Sequence, residues 1–399
     1  MPAPLRPARP WWPQPLHGRA PRPRVLGLDA ARGLAVLGMV IAHSALTPEW
    51  GSGPAALLGF VHGRAGILFA TVSGVSLAII SGGSRLLSGD DLLRARAGIL
   101  GRALVLLVAA GALSMIPTTI QVLLASYAFW FVLALPALRW RPRTLLIVAC
   151  CLALVGKLLV TGLPLWIPTW GYGSPELGGN FVPTLLVTTA SPGLVWLAFV
   201  LAGMALGRFG LDNARALRGF LIAGLALFVG AAAPFVIAAG SPAPLFTDVQ
   251  RSALPTTGID QTTDPTTGVE WQYALWSFEP NSGTVFEVLS SGGLALAVIA
   301  GLVLLGRLPW SRWALLPLTG VGSMALSAYV VHLVVLTDAQ PEGLVTDGGA
   351  GGWLCLGLVV ACALWSQVFV SGPLEQITGA VADRLSGYPQ PLRGTNQRG

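Results

Sequence analysis

Charged side chains are scarce in this chain: only 10% of the 399 residues are Asp, Glu, Lys or Arg, while 54% are hydrophobic. A soluble protein carries roughly a quarter charged residues, so this composition excludes a water-soluble globular domain. Lysine is nearly missing, with Lys157 alone beside 23 arginines, a bias that fits GC-rich coding. The formal charge of +7 is spread over short loops instead of one patch, which excludes a nucleic-acid surface. Four cysteines, Cys150, Cys151, Cys355 and Cys362, all fall in apolar runs. They read as small buried hydrophobes, neither disulfides nor a metal site. No G-x-x-x-x-G-K-S/T phosphate loop occurs, which argues against nucleotide-driven pumping, and no G-x-S-x-G elbow occurs. No internal repeat is evident, which counts against inverted-repeat transporters. The His residues lack a local ligand spacing such as HxxxH, so no metal site is assigned.

What the chain has is apolar length. Stretches long enough to cross a bilayer lie near 25–47, 57–80, 98–117, 120–138, 144–162, 191–209, 217–240, 286–307, 314–336 and 352–371. The expected fold is therefore an all-α polytopic membrane protein of about ten transmembrane helices. With the N-terminus inside, 21 of the 24 basic residues face the cytoplasm and only Arg64, Lys157 and Arg251 face out. That asymmetry predicts cytoplasmic N- and C-termini. Residues 1–24, rich in Pro and Arg without a secretory h-region, read as a disordered cytoplasmic tail. Residues 25–380 form the transmembrane domain and 381–399 a cytoplasmic tail. Two long outer connections, 163–190 and 241–285, read either as lid or acceptor-binding segments or as loosely packed caps.

The first span, LDAARGLAVLGMVIAH from Leu28 to His43, carries Asp29, Arg32 and His43 within about 60° of one helix face. Ionisable groups at membrane depth are costly and usually mark a site or a packed pair. Asp29 and Arg32 lie at the cytoplasmic end. They read as a structural ion pair or as a guanidinium that meets a phosphate-bearing ligand. His43 lies at the outer end, about 16 Å further along the helix. His62 and Arg64 open the second span, Glu287 opens the eighth with Ser290 and Ser291 on its face, and His332 sits in the outer third of the ninth. Three of the four His thus share one level with Glu287, and we read them as one functional site. Arg64 and Glu49 read as solvated interfacial charges, and Lys157 as snorkelling to the outer surface.

These residues also carry a resemblance. LDAARGLAVLGMVIAH resembles the opening helix of the heparan-alpha-glucosaminide N-acetyltransferase-like membrane proteins, with an acidic residue three before Arg-Gly. GRAGILFATVSGVSLAIISGG, SPGLVWLAFVLAGMALGR, NSGTVFEVLSSGGLALAV, GSMALSAYVVH and GPLEQITG are similar, in order, to later segments of its actinobacterial branch. The YeiB-like bacterial proteins of unassigned function share much of the pattern. The resemblance spans residues 25 to about 380. It implies a transmembrane acyltransferase that moves an acetyl or acyl group from cytosolic acetyl-CoA, or another acyl-CoA, to an extracytoplasmic sugar or cell-envelope glycan. The family's essential His lies in the outer region between the first two helices, which here holds His43 and His62. In this reading His62 or His43 is the base or acyl carrier, and His332 and Glu287 orient it or share its proton. Arg32, with Asp29, helps bind the donor phosphates. No tightly bound cofactor is expected; the expected partners are the lipid bilayer and a glycan or envelope acceptor, with no nucleic acid, and the location is the plasma (inner) membrane. The alternative is a transporter or flippase that uses the same polar residues as a path.

Overall fold

The computed structural model describes residues 25–44, 53–116, 120, 122–171, 180–188, 193–246, 276–278, 280–338, 348–369 and 371–387. Among them the regular structure is helical. Helix α1 is Leu26–Ala42, and a 3-10 turn Pro54–Val61 leads into α2, Arg64–Ile80. Then follow α3, Gly89–Ser114, α4, Leu124–Leu133, and α5, Pro142–Trp166. The middle of the chain gives α6, Gly193–Phe209, and α7, Ala214–Ala239. The last part forms α8, Val285–Leu305, α9, Leu316–Gly322, α10, Ala325–Asp338, α11, Gly348–Val368, and α12, Pro373–Ser386. His17, Glu49 and Arg251, residues 172–179 and 189–190 of the first long outer connection and most of the second, 241–285, lie outside the described residues.

Ten apolar stretches do not become ten equal rods. Five helices are long and apolar enough to cross a membrane: α3, α5, α7, α8 and α11. Two further stretches are bent pairs, by 40° between the 3-10 turn and α2 and by 85° between α9 and α10. The first, fourth and sixth stretches give the shorter helices α1, α4 and α6. The 85° bend falls at Gly322-Ser323-Met324, a Gly/Ser break inside an otherwise apolar run. A carboxylate secures it. Glu375 of α12 accepts hydrogen bonds from the Leu326 and Ser327 amides at 2.6 and 3.1 Å, and from Ser327 Oγ at 2.6 Å. The first turn of α10 thereby gains a negative charge where its amides lack helical partners. Helix α12 continues past residue 380 to Ser386, with buried Ala382 against Gly101 of α3.

Lipid offers no hydrophobic drive between helices, so close packing has to hold them together. Small residues provide it. A Cβ on Gly322 would strike the Asp29 carbonyl, and one on Gly33 the Leu318 carbonyl, so α1 and α9 cross backbone to backbone. Gly74 and Gly203 do the same for α2 and α6. At the inner end Arg208 is buried and joins three elements. It donates to the Ser81, Gly83 and Leu138 carbonyls and to Ser81 Oγ, at 2.6–3.0 Å. Cys362 is buried, whereas Cys150 and Cys151 lie on the exposed side of α5, contrary to the reading of all four as buried. In a membrane helix that face meets lipid.

Candidate active site

Two cavities flank the paired helices α1 and α10. The inner one measures about 320 Å³. Its polar end carries Arg32, Arg102, Ser76 and Glu375; Phe69, Leu106 and Phe131 are among its apolar walls. Arg32 donates to Asp29 Oδ1 and to Ser76 Oγ, both at 2.7 Å. The expected pair of α1 therefore exists, and it is tied to α2 as well. The planar guanidinium is oriented by two partners while remaining part of the cavity lining.

The outer chamber is smaller, about 100 Å³, and it is built from helix ends and turns. His43, at the C-terminal cap of α1, lines it together with Asn281 and Trp196. His43 Nδ1 lies 3.3 Å from Nε2 of His332, and the two rings stack with centroids 5.6 Å apart. His332 is fully buried, so it does not face lipid. One N–H and one lone pair must meet across that 3.3 Å gap. When the His43 Nδ1–H donates, His43 Nε2 keeps its lone pair and can act as a base.

The remaining candidates are placed differently. His62 lies close enough to His43 to act on it electrostatically, but its Nδ1 is paired with the Gly59 carbonyl at 3.0 Å. Its neighbours Val61 and Gly63 line the chamber. Glu287 is buried, and both of its oxygens are engaged by backbone: Oε1 by the Asn281 amide at 3.1 Å and Oε2 by the Gly283 amide at 2.9 Å. It organises the 280–284 turn, and among the described residues no hydrogen bond joins it to His43 or His332. Arg64 is not a solvated interfacial charge. It is buried, donates to the Phe60 and Leu245 carbonyls at 3.0 and 2.9 Å, and acts with Lys157 on the Glu287 charge. Lys157 does not simply snorkel outward, because its Nζ donates to the Ser282 carbonyl at 2.7 Å. Among the described residues no group of three or more His, Cys, Asp or Glu could hold a metal ion.

A thin wall separates the cavities. Tyr329 lines the inner cavity, and its hydroxyl accepts the Leu123 amide at 3.0 Å; Leu123 lines the outer chamber. Tyr127 likewise lines the inner side and donates to the Gly66 carbonyl, at 3.0 Å, on the outer side. The Tyr329 ring packs edge-on against His332, with centroids 5.1 Å apart. Sequence reasoning did not single out Tyr127, Tyr329, Arg102, Ser76 or Glu375. Spacing offered a signal for one of them, since Tyr329 precedes His332 by three residues on one helix face.

A family model described as "Heparan-alpha-glucosaminide N-acetyltransferase, catalytic" matches residues 24–233, just over half of the chain. A second, "Protein of unknown function (DUF418)", matches residues 265–383. No curated protein matches the chain. The His pair joins the two matched regions, since His43 falls in the first and His332 in the second.

Proposed function

The chain belongs to the heparan-alpha-glucosaminide N-acetyltransferase catalytic family, and from that premise we propose that it carries an acyl group across the plasma membrane from acetyl-CoA, or another acyl-CoA, to an extracytoplasmic sugar or cell-envelope glycan. One observation carries this reading: a guanidinium-lined inner cavity and a histidine-lined outer chamber share a wall, across which tyrosines lining the first hydrogen-bond to backbone groups of residues lining the second.

In this reading Arg32, held by Asp29 and Ser76, binds donor phosphate, a task suited to a charge-assisted fork. The thioester arm extends along α1 and α10 and passes the Tyr329–Leu123 and Tyr127–Gly66 contacts of the wall, so that its carbonyl enters the outer chamber. There His43 Nε2 takes a proton from the acceptor amine or hydroxyl as its N or O attacks the thioester carbonyl. The new C–N or C–O bond forms, the C–S bond breaks, and the proton passes from His43 to the departing thiolate. His332 is a positioning residue, which fixes the His43 tautomer through the 3.3 Å contact. His43 is preferred to His62 because the chamber lining includes His43, while the His62 ring turns back to its own chain.

The test is purified protein with labelled acetyl-CoA and glucosamine. Labelled sugar and free CoA should appear together, and His43→Ala should abolish both. Uptake of sugar into proteoliposomes without CoA would replace this reading with transport.

A further inference from the structure

The outer chamber contains one residue whose backbone is held in an unfavoured conformation. Asn281 has φ 61°, and among the described residues it is the one non-glycine in the left-handed region. Asn tolerates this region better than most residues, yet Gly would adopt it with no steric cost. The turn around Asn281 is fixed from three directions. The Glu287 carboxylate receives its amide and that of Gly283. Lys157 donates to the Ser282 carbonyl between them. Pro280 packs against Gly63, where a Cβ would collide with it. A buried carboxylate and an ammonium thus hold a strained residue in place, and strain maintained in this way points to a role for the side chain. That side chain makes no hydrogen bond among the described residues, and Asn281 is half-buried where it lines the chamber beside His43. Among the described residues, the only other polar side chain on the lining, apart from His43, is the Trp196 indole.

We propose that the Asn281 amide is the acceptor-recognising group of the outer chamber and sets its specificity for a sugar. This rests on the reading of the chamber as the acceptor site. A primary amide offers two donors and a carbonyl acceptor at one point. It therefore matches the neighbouring hydroxyl or amino groups of a pyranose, which each donate and accept. A chamber of about 100 Å³ admits the reacting edge of one ring, with Asn281 holding one substituent and His43 facing the next.

The test uses the full chain purified in detergent, with labelled glucosamine and glucose as probes in equilibrium dialysis. Asn281→Gly removes the amide and relieves the left-handed φ, so its melting temperature should not fall. Its glucosamine affinity should drop by about tenfold, the loss expected for one hydrogen bond to an unsatisfied polar partner. Asn281→Asp keeps the shape and adds a negative charge, so it should shift preference towards glucosamine, an ammonium, over glucose. Unchanged affinity in Asn281→Gly, unchanged preference in Asn281→Asp, or no binding of either sugar by the wild type would each overturn the proposal. CoA release followed in parallel separates it from the transferase reading. Asn281-dependent binding without CoA release leaves a sugar site and removes acyl transfer. Transfer to glucosamine undiminished in Asn281→Gly leaves acyl transfer and removes the role of Asn281.

Discussion

The inner cavity and the outer chamber are built in different ways. The inner cavity is about three times larger and is walled by the bodies of α1, α2, α3, α4, α10 and α12, so its polar groups stand on regular helices. The outer chamber is assembled from the cap of α1, a 3-10 turn and the 280–284 turn. It is held by a His–His contact and a buried carboxylate rather than by helical periodicity. Roomy sites on rigid helices suit a large ligand that enters and leaves. A tight site made of fixed turns suits orientation of reacting atoms, where sub-ångström placement counts. If the comparison holds, changes in the inner cavity will alter the donor KM and changes in the outer chamber will alter kcat.

The largest effect is expected from His43→Ala. Removal of a general base costs about 10²–10⁴-fold in transfer, read as CoA released in the presence of glucosamine, with acetyl-CoA binding unchanged. Transfer at the wild-type rate would move the chemistry to His62. The next largest is expected from His332→Phe, which fills the buried site but leaves His43 Nδ1 without its partner. We expect kcat to fall by tenfold or more, with the donor KM unchanged and the pH profile altered. A variant with the wild-type profile would reduce His332 to a packing residue.

Arg32 probes the other cavity. Replacing a guanidinium that bonds phosphate should cost about 1.5–3 kcal/mol of donor binding, a rise of tenfold or more in the acetyl-CoA KM. Arg32→Ala alone removes the ion-pair partner of the Asp29 carboxylate, which is only 12% exposed. The double variant Asp29→Asn, Arg32→Gln removes both charges and isolates the phosphate effect. A fall in kcat with KM unchanged would mean that the two cavities are not divided as described.

How far the sequence revealed these two regions follows from the physics of each. Periodicity and charge partition placed Arg32 inside and His43 outside, because both lie on one unbroken helix whose direction the arginine asymmetry sets. They also brought His332 to the level of His43, since α10 rises from Ala325 at the Arg32 cavity to the chamber. The 85° bend before α10 was hidden because Gly322 and Ser323 interrupt an apolar run that still keeps the hydropathy of a membrane span. Glu375 was not recognisable as a cap, since its partners Leu326 and Ser327 lie nearly fifty residues away. The burial of Arg64 was misread, and the anchoring of Glu287 hidden, for the same reason. Burial of a charge at a helix end depends on carbonyls and amides from other turns, here Leu245, Asn281 and Gly283. Asn281 gave no signal because a left-handed φ leaves no trace in hydropathy.

The smallest expected effect lies in the wall between the cavities, and it tests whether they are separate compartments at all. Tyr329→Phe keeps the ring that packs against His332 and deletes only the hydroxyl that accepts the Leu123 amide. A single neutral hydrogen bond contributes about 1 kcal/mol net, so melting should fall by a few degrees. Transfer to glucosamine should change less than tenfold, because neither the His43–His332 contact nor the Arg32 pair is touched. The informative readout is CoA released with no sugar present. Leu123 faces the chamber and Tyr329 the inner cavity, so freeing the Leu123 amide loosens the partition and lets water reach the thioester. Acceptor-independent release should therefore rise while the acetyl-CoA KM stays put. A loss of transfer as large as that of His332→Phe would instead place the Tyr329 hydroxyl in the chemistry. The two cavities would then be one continuous site, with the tyrosine as a proton-bearing member and not a divider.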